Sequence, residues 1–270
     1  MKRIIISTAI ILCAITVSWL AFGRNEKFKK ISKASVVNDA VLTIADSIQS
    51  DADLNDDEKK IIKELQDLFK DVSAGKPLHM EGDIRFTDPV DTSQKEQASD
   101  FIFHNDGAKI YYKNKAQEAI NDRSFYTVAD HELKRLVVMP PKSVEAMQVI
   151  PLSALSKNIK AEGYSIERSE QGGSAIIRLL CEQHITCKEV SVEFDAATGK
   201  LISLFYRFTD LDHPEDTDFD KTLNIKISNW EKDIEQIRKY PLPQLVQSTK
   251  DGQTITSALE DYQVINLINK

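Results

Sequence analysis

The chain has 270 residues, 41% hydrophobic and 29% charged, enough apolar content for one sizeable core with an appendage. Its 35 Lys and Arg stand against 42 Asp and Glu, for a net charge of −7. Without a basic cluster such a chain is repelled by phosphate backbones, which argues against a nucleic-acid partner.

Lys2 and Arg3 precede an uncharged run over residues 4–23, and Arg24, Lys27, Lys29 and Lys30 follow it. A charged start with an apolar core is an export pattern. Two readings of residues 1–23 stay open. Ala21-Phe22-Gly23 offers small residues for a cleavage site, as in a removed signal peptide. The length of the run, with Trp19 near its end, fits a retained inner-membrane anchor. Either way the expected location is the periplasm.

Residues 24–76 read as a helical pair. In 31–50, Val37, Val41, Ile44 and Ile48 recur at helical spacing. Asn55 is placed to cap a second helix whose stripe is Ile61, Ile62, Leu65, Leu68, Phe69 and Val72, ended by Gly75 and Pro77. The pair either packs on the following domain or stands as a stalk, and residues 31–72 are a candidate surface for an envelope protein partner.

At Leu78 the period changes from 3.6 to 2. Leu78, Met80, Gly82, Ile84 and Phe86 alternate with His79, Glu81, Asp83 and Arg85, which predicts a strand with one dry and one wet face. Residues 88–99 are polar and aperiodic, and read as a loop. Short strands are expected over 101–104, 109–113, 124–128 and 133–138, antiparallel because their links are short. Residues 115–120 fit either a strand or a helical turn. Met139-Pro140-Pro141 stops the sheet, and 143–160 reads as helix interrupted by Pro151.

Strand-like runs return at 164–168, 174–180, 190–194, 201–208 and 222–230. The turn at 195–200 is set by Asp195 and Gly199. A short helical piece is expected over 231–238, and the tail 251–270 as strand or mixed. The resulting division is 1–23, 24–76, a sheet domain 77–240 with a helical insert 141–160, and a C-terminal extension 241–270.

This order of elements resembles the outer-membrane lipoprotein carrier and receptor superfamily. Gly82-Asp83-Ile84-Arg85-Phe86 is similar to its early strand. The run from Phe101 through Asp106-Gly107 to Tyr111-Tyr112 is similar to its hairpin, and Phe194-Asp195 with Gly199-Lys200-Leu201 to its late hairpin. The resemblance spans 78–230. It implies an incomplete antiparallel barrel closed by helices, with acyl chains or lipoproteins in an apolar concavity. The helices before Leu78 and the tail after Tyr240 are additions to that pattern.

Cys181 and Cys187 flank a short link at a hairpin mouth. Outside the cytoplasm they can form a disulfide; the alternatives are two free thiols, or a metal site with His184 that lacks a fourth ligand. Asp210, Asp212, Glu215, Asp216, Asp218 and Asp220 crowd one loop, but its spacing fails the calcium-loop template, so it reads as a solvated hairpin loop. His79, His104 and His131 fall on polar faces or turns with no nucleophile beside them. No Gly-x-Ser-x-Gly, His-Glu-x-x-His or phosphate-binding loop occurs.

The expectation is therefore an α+β fold, a strongly curved antiparallel sheet with helices on its concave side. It is non-catalytic, with no cofactor and no metal. The candidate pocket is lined by Met80, Ile84, Phe86, Phe101, Phe103, Val192 and Phe194, with Val144, Met147 and Leu155 closing over it. The ligand expected there is a lipid or an acylated protein. The rival expectation is a scaffold in an envelope assembly such as a pilus or secretion system, anchored in the inner membrane.

Overall fold

The computed structural model describes residues 54–73, 76–90, 96–142, 159–249, 252–256 and 259–268. The expected export segment 4–23, the first helix over 31–50, and Val144, Met147 and Leu155 lie outside the described residues. Among those described, no helix is long and apolar enough to cross a membrane.

The centre of the molecule is β1 (Leu78–Thr87), paired antiparallel with β2 (Glu96–Asn105) on one side and β11 (Lys221–Glu231) on the other. Beyond β2 a meander continues through β3 (Ile110–Asn114), β4 (Gln117–Asn121), β5 (Tyr126–Asp130) and β6 (Arg135–Met139). Beyond β11 a second meander runs back through β10 (Leu201–Phe208), β9 (Cys187–Asp195) and β8 (Ser174–Leu180) to β7 (Ser165–Gln171). With β14 (Gln263–Asn266) beside β6, the described residues form a 12-stranded sheet that does not close, its edges being β14 and β7. A separate hairpin joins β12 (Val246–Thr249) and β13 (Gly252–Ile255).

Two local expectations are corrected. Residues 88–99 are not all loop, because β2 already starts at Glu96 and runs the full length of β1, down to Thr87 opposite Glu96. The polar start of β2 gave no alternation to read; its pairing comes from the neighbouring strand. The tail also departs from the antiparallel rule, since β14 pairs parallel with β6. A parallel neighbour needs a long connection, and the chain supplies one by travelling through the whole second meander first. The open choice at 115–120 resolves as strand β4, which pairs with both β3 and β5.

The helix α1 (Asp56–Ser73) begins with a reciprocal cap. Asn55 Oδ1 accepts from the amides of Asp57 and Glu58 at 3.0 and 2.9 Å, and Glu58 Oε2 accepts from the Asn55 amide at 2.9 Å. Glu58 also receives Lys160 Nζ at 2.6 Å, so the cap is tied to the chain that enters β7. The stripe Ile62, Leu65 and Leu68 is buried in the main core with Ile177, Leu179, Val190, Val192, Phe194, Leu204, Tyr206, Leu223 and Ile225. Thus α1 lies on one face of the second meander, and its apolar face is used in that packing.

The two meanders meet across β1 and β11, and Gly82 allows their approach. A bulge interrupts the register between Glu81 and Gly82. A Cβ on Gly82 would lie 1.9 Å from the carbonyl oxygen of Lys226 and 2.8 Å from Phe101 Cε1. A backbone carbonyl in a central strand cannot step aside, so any side chain there pushes β1 and β11 apart. Gly82→Ala is expected to destabilise the protein by about 2–4 kcal/mol, against roughly 2–5 kcal/mol for Leu65→Ala, which only opens a cavity under α1. Urea unfolding of the two variants tests this, and an Ala at position 82 that leaves the midpoint unchanged contradicts the close approach.

Candidate functional site

Register places one apolar row across the first half of the sheet. Trp230 of β11 opposes Met80, and the row continues through Phe103, Tyr112, Ala119, Val128 and Val137 to Ile265 on β14. Cross-strand partners share a face, so these side chains form one track on the same face that α1 covers over the second meander. From Met80 to Val137 the track crosses five strand spacings, about 24 Å at roughly 4.8 Å each. Met80, Phe103, Tyr112, Ala119, Val128 and Val137 are each only half-buried.

The next row on this face runs Leu78, Asn105, Ile110, Asn121, Tyr126 and Met139, so Ile110 lies between the two asparagines and Tyr126 and Met139 beyond them. On the other flank stand Asn114, Gln117, Asp130 and Arg135. Tyr112 belongs to the track and to the rim at once: its ring lies in the row, and its hydroxyl accepts from Asn114 Nδ2 at 2.9 Å. Burial pushes the Tyr112 phenol up to about 12. Gln117 Oε1 is buried at the rim and makes no hydrogen bond among the described residues.

The opposite face is covered instead. There the row His79, His104, Tyr111, Ile120, Thr127 and Val138 is buried throughout. The C-terminal extension lies over it: Leu245, Val246, Leu259 and Tyr262 form a second core cluster with Tyr111, Ile120, Ala129, Leu136 and Val138. This corrects the expected wet face of β1 at His79, since local alternation could not show that a distant segment returns to cover it. Tyr111 donates to Glu118 Oε1 at 2.7 Å, and His131 Nδ1 meets the Tyr262 hydroxyl at 2.7 Å. His131 Nε2 stands 3.5 Å from Glu118 Oε2, beyond hydrogen-bond length. Burial and the Glu118 carboxylate both hold the Tyr111 phenol above its ordinary range.

The predicted pocket residues therefore divide. Ile84, Phe86, Phe101, Val192 and Phe194 are all buried, at 6% exposure or less, in the filled core with α1. Met80 and Phe103 sit at that core's margin, partly buried, where the track begins. Tyr112, Ala119, Val128 and Val137 were not singled out from the sequence. Their signal was weak because each lies on a strand of only five residues, too short for its alternation to name a face.

No family model matches the chain, and no curated protein does. Among solved structures the fold is similar to an uncharacterized conserved protein from Thermus thermophilus, at 9% identity and a TM-score of 0.35, covering 75% of this chain and 99% of that one. It is also similar to a LolA superfamily protein from Nitrosomonas europaea, at 8% identity and a TM-score of 0.27, covering 68% and 94%. A third is a putative outer membrane lipoprotein-sorting protein domain from Vibrio parahaemolyticus, at 8% identity and a TM-score of 0.27, covering 65% and 93%. The sequence resemblance thus has counterparts bearing the carrier superfamily's name.

The hairpin mouth between β8 and β9 departs from expectation. The disulfide is not formed, and Cys181 and Cys187 are both free thiols. The register is the reason: Leu180 opposes Glu189, and the amide of Cys181 donates to the carbonyl of Lys188, so Cys181 and Cys187 do not stand opposite each other. His184 holds the link between them instead. Its Nδ1 accepts from the Cys187 amide at 3.0 Å, and its Nε2 lies 3.2 Å from Glu162 Oε2. No group of three or more metal-type ligands occurs among the described residues.

In the acidic loop, Asp220 turns inward and pairs with Lys188 Nζ at 2.8 Å, both side chains nearly inaccessible, while Arg207 Nη1 reaches Asp220 Oδ2 at 3.1 Å. Removing Asp220 would strand the buried Lys188 ammonium, so this knot ties β9, β10 and the start of β11 together. A shallow groove of about 440 Å³ separates α1 from the β9–β10 hairpin, with Leu68 and Phe194 below and Lys60, Lys63 and Lys232 around it. Lys60 and Lys232 are already paired, with Asp57 and Asp71.

Burial pushes the Cys187 thiol up to about 12, so it is a poor nucleophile at neutral pH, whereas Cys181 is partly exposed. Iodoacetamide at pH 8 is expected to alkylate Cys181 at least roughly tenfold faster than Cys187 in the native protein. Non-reducing mass spectrometry should find no Cys181–Cys187 linkage. Equal rates in folded protein, or a linked pair, would contradict the register.

Proposed function

We propose that the protein binds an acyl chain, free or attached to a lipoprotein, along the half-buried track from Met80 to Val137, and that it does so in the cell envelope without catalysis. One observation carries this reading. The two faces of the first meander are covered unequally, one by the apolar residues of the C-terminal extension and the other only in part. A continuous apolar strip with a polar rim offers a flexible hydrocarbon burial along its length and hydrogen-bonding groups at its border. Asn114, Gln117, Asp130 and Arg135 supply that border.

The lining proposed here keeps Met80 and Phe103 and adds Tyr112, Ala119, Val128 and Val137. Val144, Met147 and Leu155 remain candidates for the covering layer. The export-type segment at 4–23 supports the envelope, as a removed signal or as an inner-membrane anchor. The absence of catalysis is supported by the state of the polar groups: His184 is held between a backbone amide and Glu162, and the Cys187 thiol is protonated and buried.

Val128→Gln tests the reading, because residue 128 sits mid-track and is only half-buried. Affinity for a fluorescent fatty-acyl probe is expected to fall about tenfold, while the melting temperature moves by no more than about 4 °C. Val192→Gln, in the filled core, should instead lower the melting temperature by about 10 °C or more. If purified protein binds no acyl probe, or binds it equally well with Gln at 128, the acyl-binding reading fails and an interaction scaffold takes its place.

A further inference from the structure

The segment that follows β11 is fastened to the sheet through a pair of buried histidines. His79 on β1 and His104 on β2 are cross-strand partners, and their side chains are 2% and 1% exposed. Their Nδ1 atoms face each other at 3.3 Å, and His79 Nε2 lies 3.1 Å from Glu81 Oε1. Tyr240 stacks on His79 with ring centroids 3.6 Å apart and planes inclined by 22°. The same tyrosine meets His104 edge-on, and its hydroxyl accepts from Asn229 Nδ2 at 2.8 Å. Between β11 and Tyr240 runs the short helix α2 (Ile234–Ile237), whose buried residue is Ile237. The stack, the Asn229 bond and buried Ile237 fasten the segment to the sheet side of the molecule.

The charged and titratable groups around the rings come from every neighbouring element. On β1 there is Glu81, and Asp106 stands just beyond the end of β2. On β11, Glu231 opposes His79 in register, but its carboxylate accepts from the amides of Lys232 and Asp233. On β3, Tyr111 opposes His104, and its hydroxyl is directed to Glu118. In the segment itself Arg238 pairs with Glu235, and Lys239 with Gln236.

This arrangement accommodates one proton and resists a second. With a single positive charge on the pair, one ring donates from Nδ1 and the other accepts, and His79 Nε2 lies against Glu81. A second proton creates two cations with facing nitrogens 3.3 Å apart, in a site closed to water. Relief requires the rings to separate and hydrate, and Tyr240 lies flat over one of them.

We propose that the His79–His104 pair is an acid-sensitive latch, in which uptake of the second proton parts the rings and frees the Tyr240 segment from the sheet. Burial first, and the facing His79 next, hold His104 below its ordinary value in the closed form. The open form therefore binds the proton more tightly. The latch is closed above the ordinary histidine value of about 6.5 and weakens as pH falls below it, towards the lowered value of the closed form.

Hydrogen–deuterium exchange of the full chain, corrected for the pH dependence of intrinsic exchange, reads the latch directly. The amides of 236–240, each bonded within α2 and the turn after it, should lose about tenfold or more of their protection between pH 7.5 and pH 5, while β9 and β10 keep theirs. His104→Gln retains a donor towards His79 but no second titrating ring, and should abolish this pH dependence. Tyr240→Ala should leave 236–240 poorly protected at both pH values. A fall shared equally by β9 and β10, an unchanged fall in His104→Gln, or retained protection in Tyr240→Ala each overturns the latch. None of these outcomes depends on acyl binding.

Discussion

Everything in this molecule hangs on the ladder between β1 and β11. The two strands are separated by the whole of both meanders, yet they pair from His79 opposite Glu231 to Thr87 opposite Thr222. Each meander alone is a run of local hairpins with two free edges. Joined at β1–β11 they become one sheet wide enough to carry a core on its faces. The join is close enough that only glycine fits at position 82, against the Lys226 carbonyl. Such a long-range contact forms at a large loop-closure cost and rewards the chain only when the faces are then buried.

That burial is uneven, and the unevenness gives the molecule its character. On one face α1 completes the core over the second meander, with Ile62, Leu65 and Leu68 set among Val190, Val192 and Phe194. On the other face the C-terminal extension completes a separate core over the first meander, around Ala129, Leu136 and Tyr262. The two layers sit on opposite sides of neighbouring strands: Phe101 and Phe103 belong to one cluster and Ile102 between them to the other. What remains is the strip from Met80 to Val137, apolar and half-covered, on the side away from the buried back row. A sheet with both faces filled would have no comparable place for a flexible hydrocarbon.

The polar groups follow the same division. The chain after β11 adds polar aromatic contacts to its apolar layer: Tyr240 stacks on His79, and Tyr262 meets His131. Contacts of this kind are directional and depend on protonation, unlike the oil-like packing under α1. The covering of the two faces thus differs in chemistry, and the Tyr240 contact on the His79–His104 pair is the one built to respond to acid.

The amino-acid sequence by itself determined the local elements. Alternation in 78–86 and 190–208, the Asp195–Gly199 turn and the Asn55 cap are visible because each depends on residues a few positions apart, and Asn55 makes the cap bonds its position calls for. The antiparallel meanders follow from short links for the same reason. Tertiary structure alone decided which faces are covered. The period of β1 shows that His79 and Met80 face opposite ways, but not that the segment following β11 stacks over the first while the second stays half-open. It likewise decided the pairing parity that keeps Cys181 and Cys187 apart, and the parallel docking of β14 on β6. These outcomes depend on contacts between distant segments, whose free energy comes from burying shared surface, and no local pattern of residue types records it.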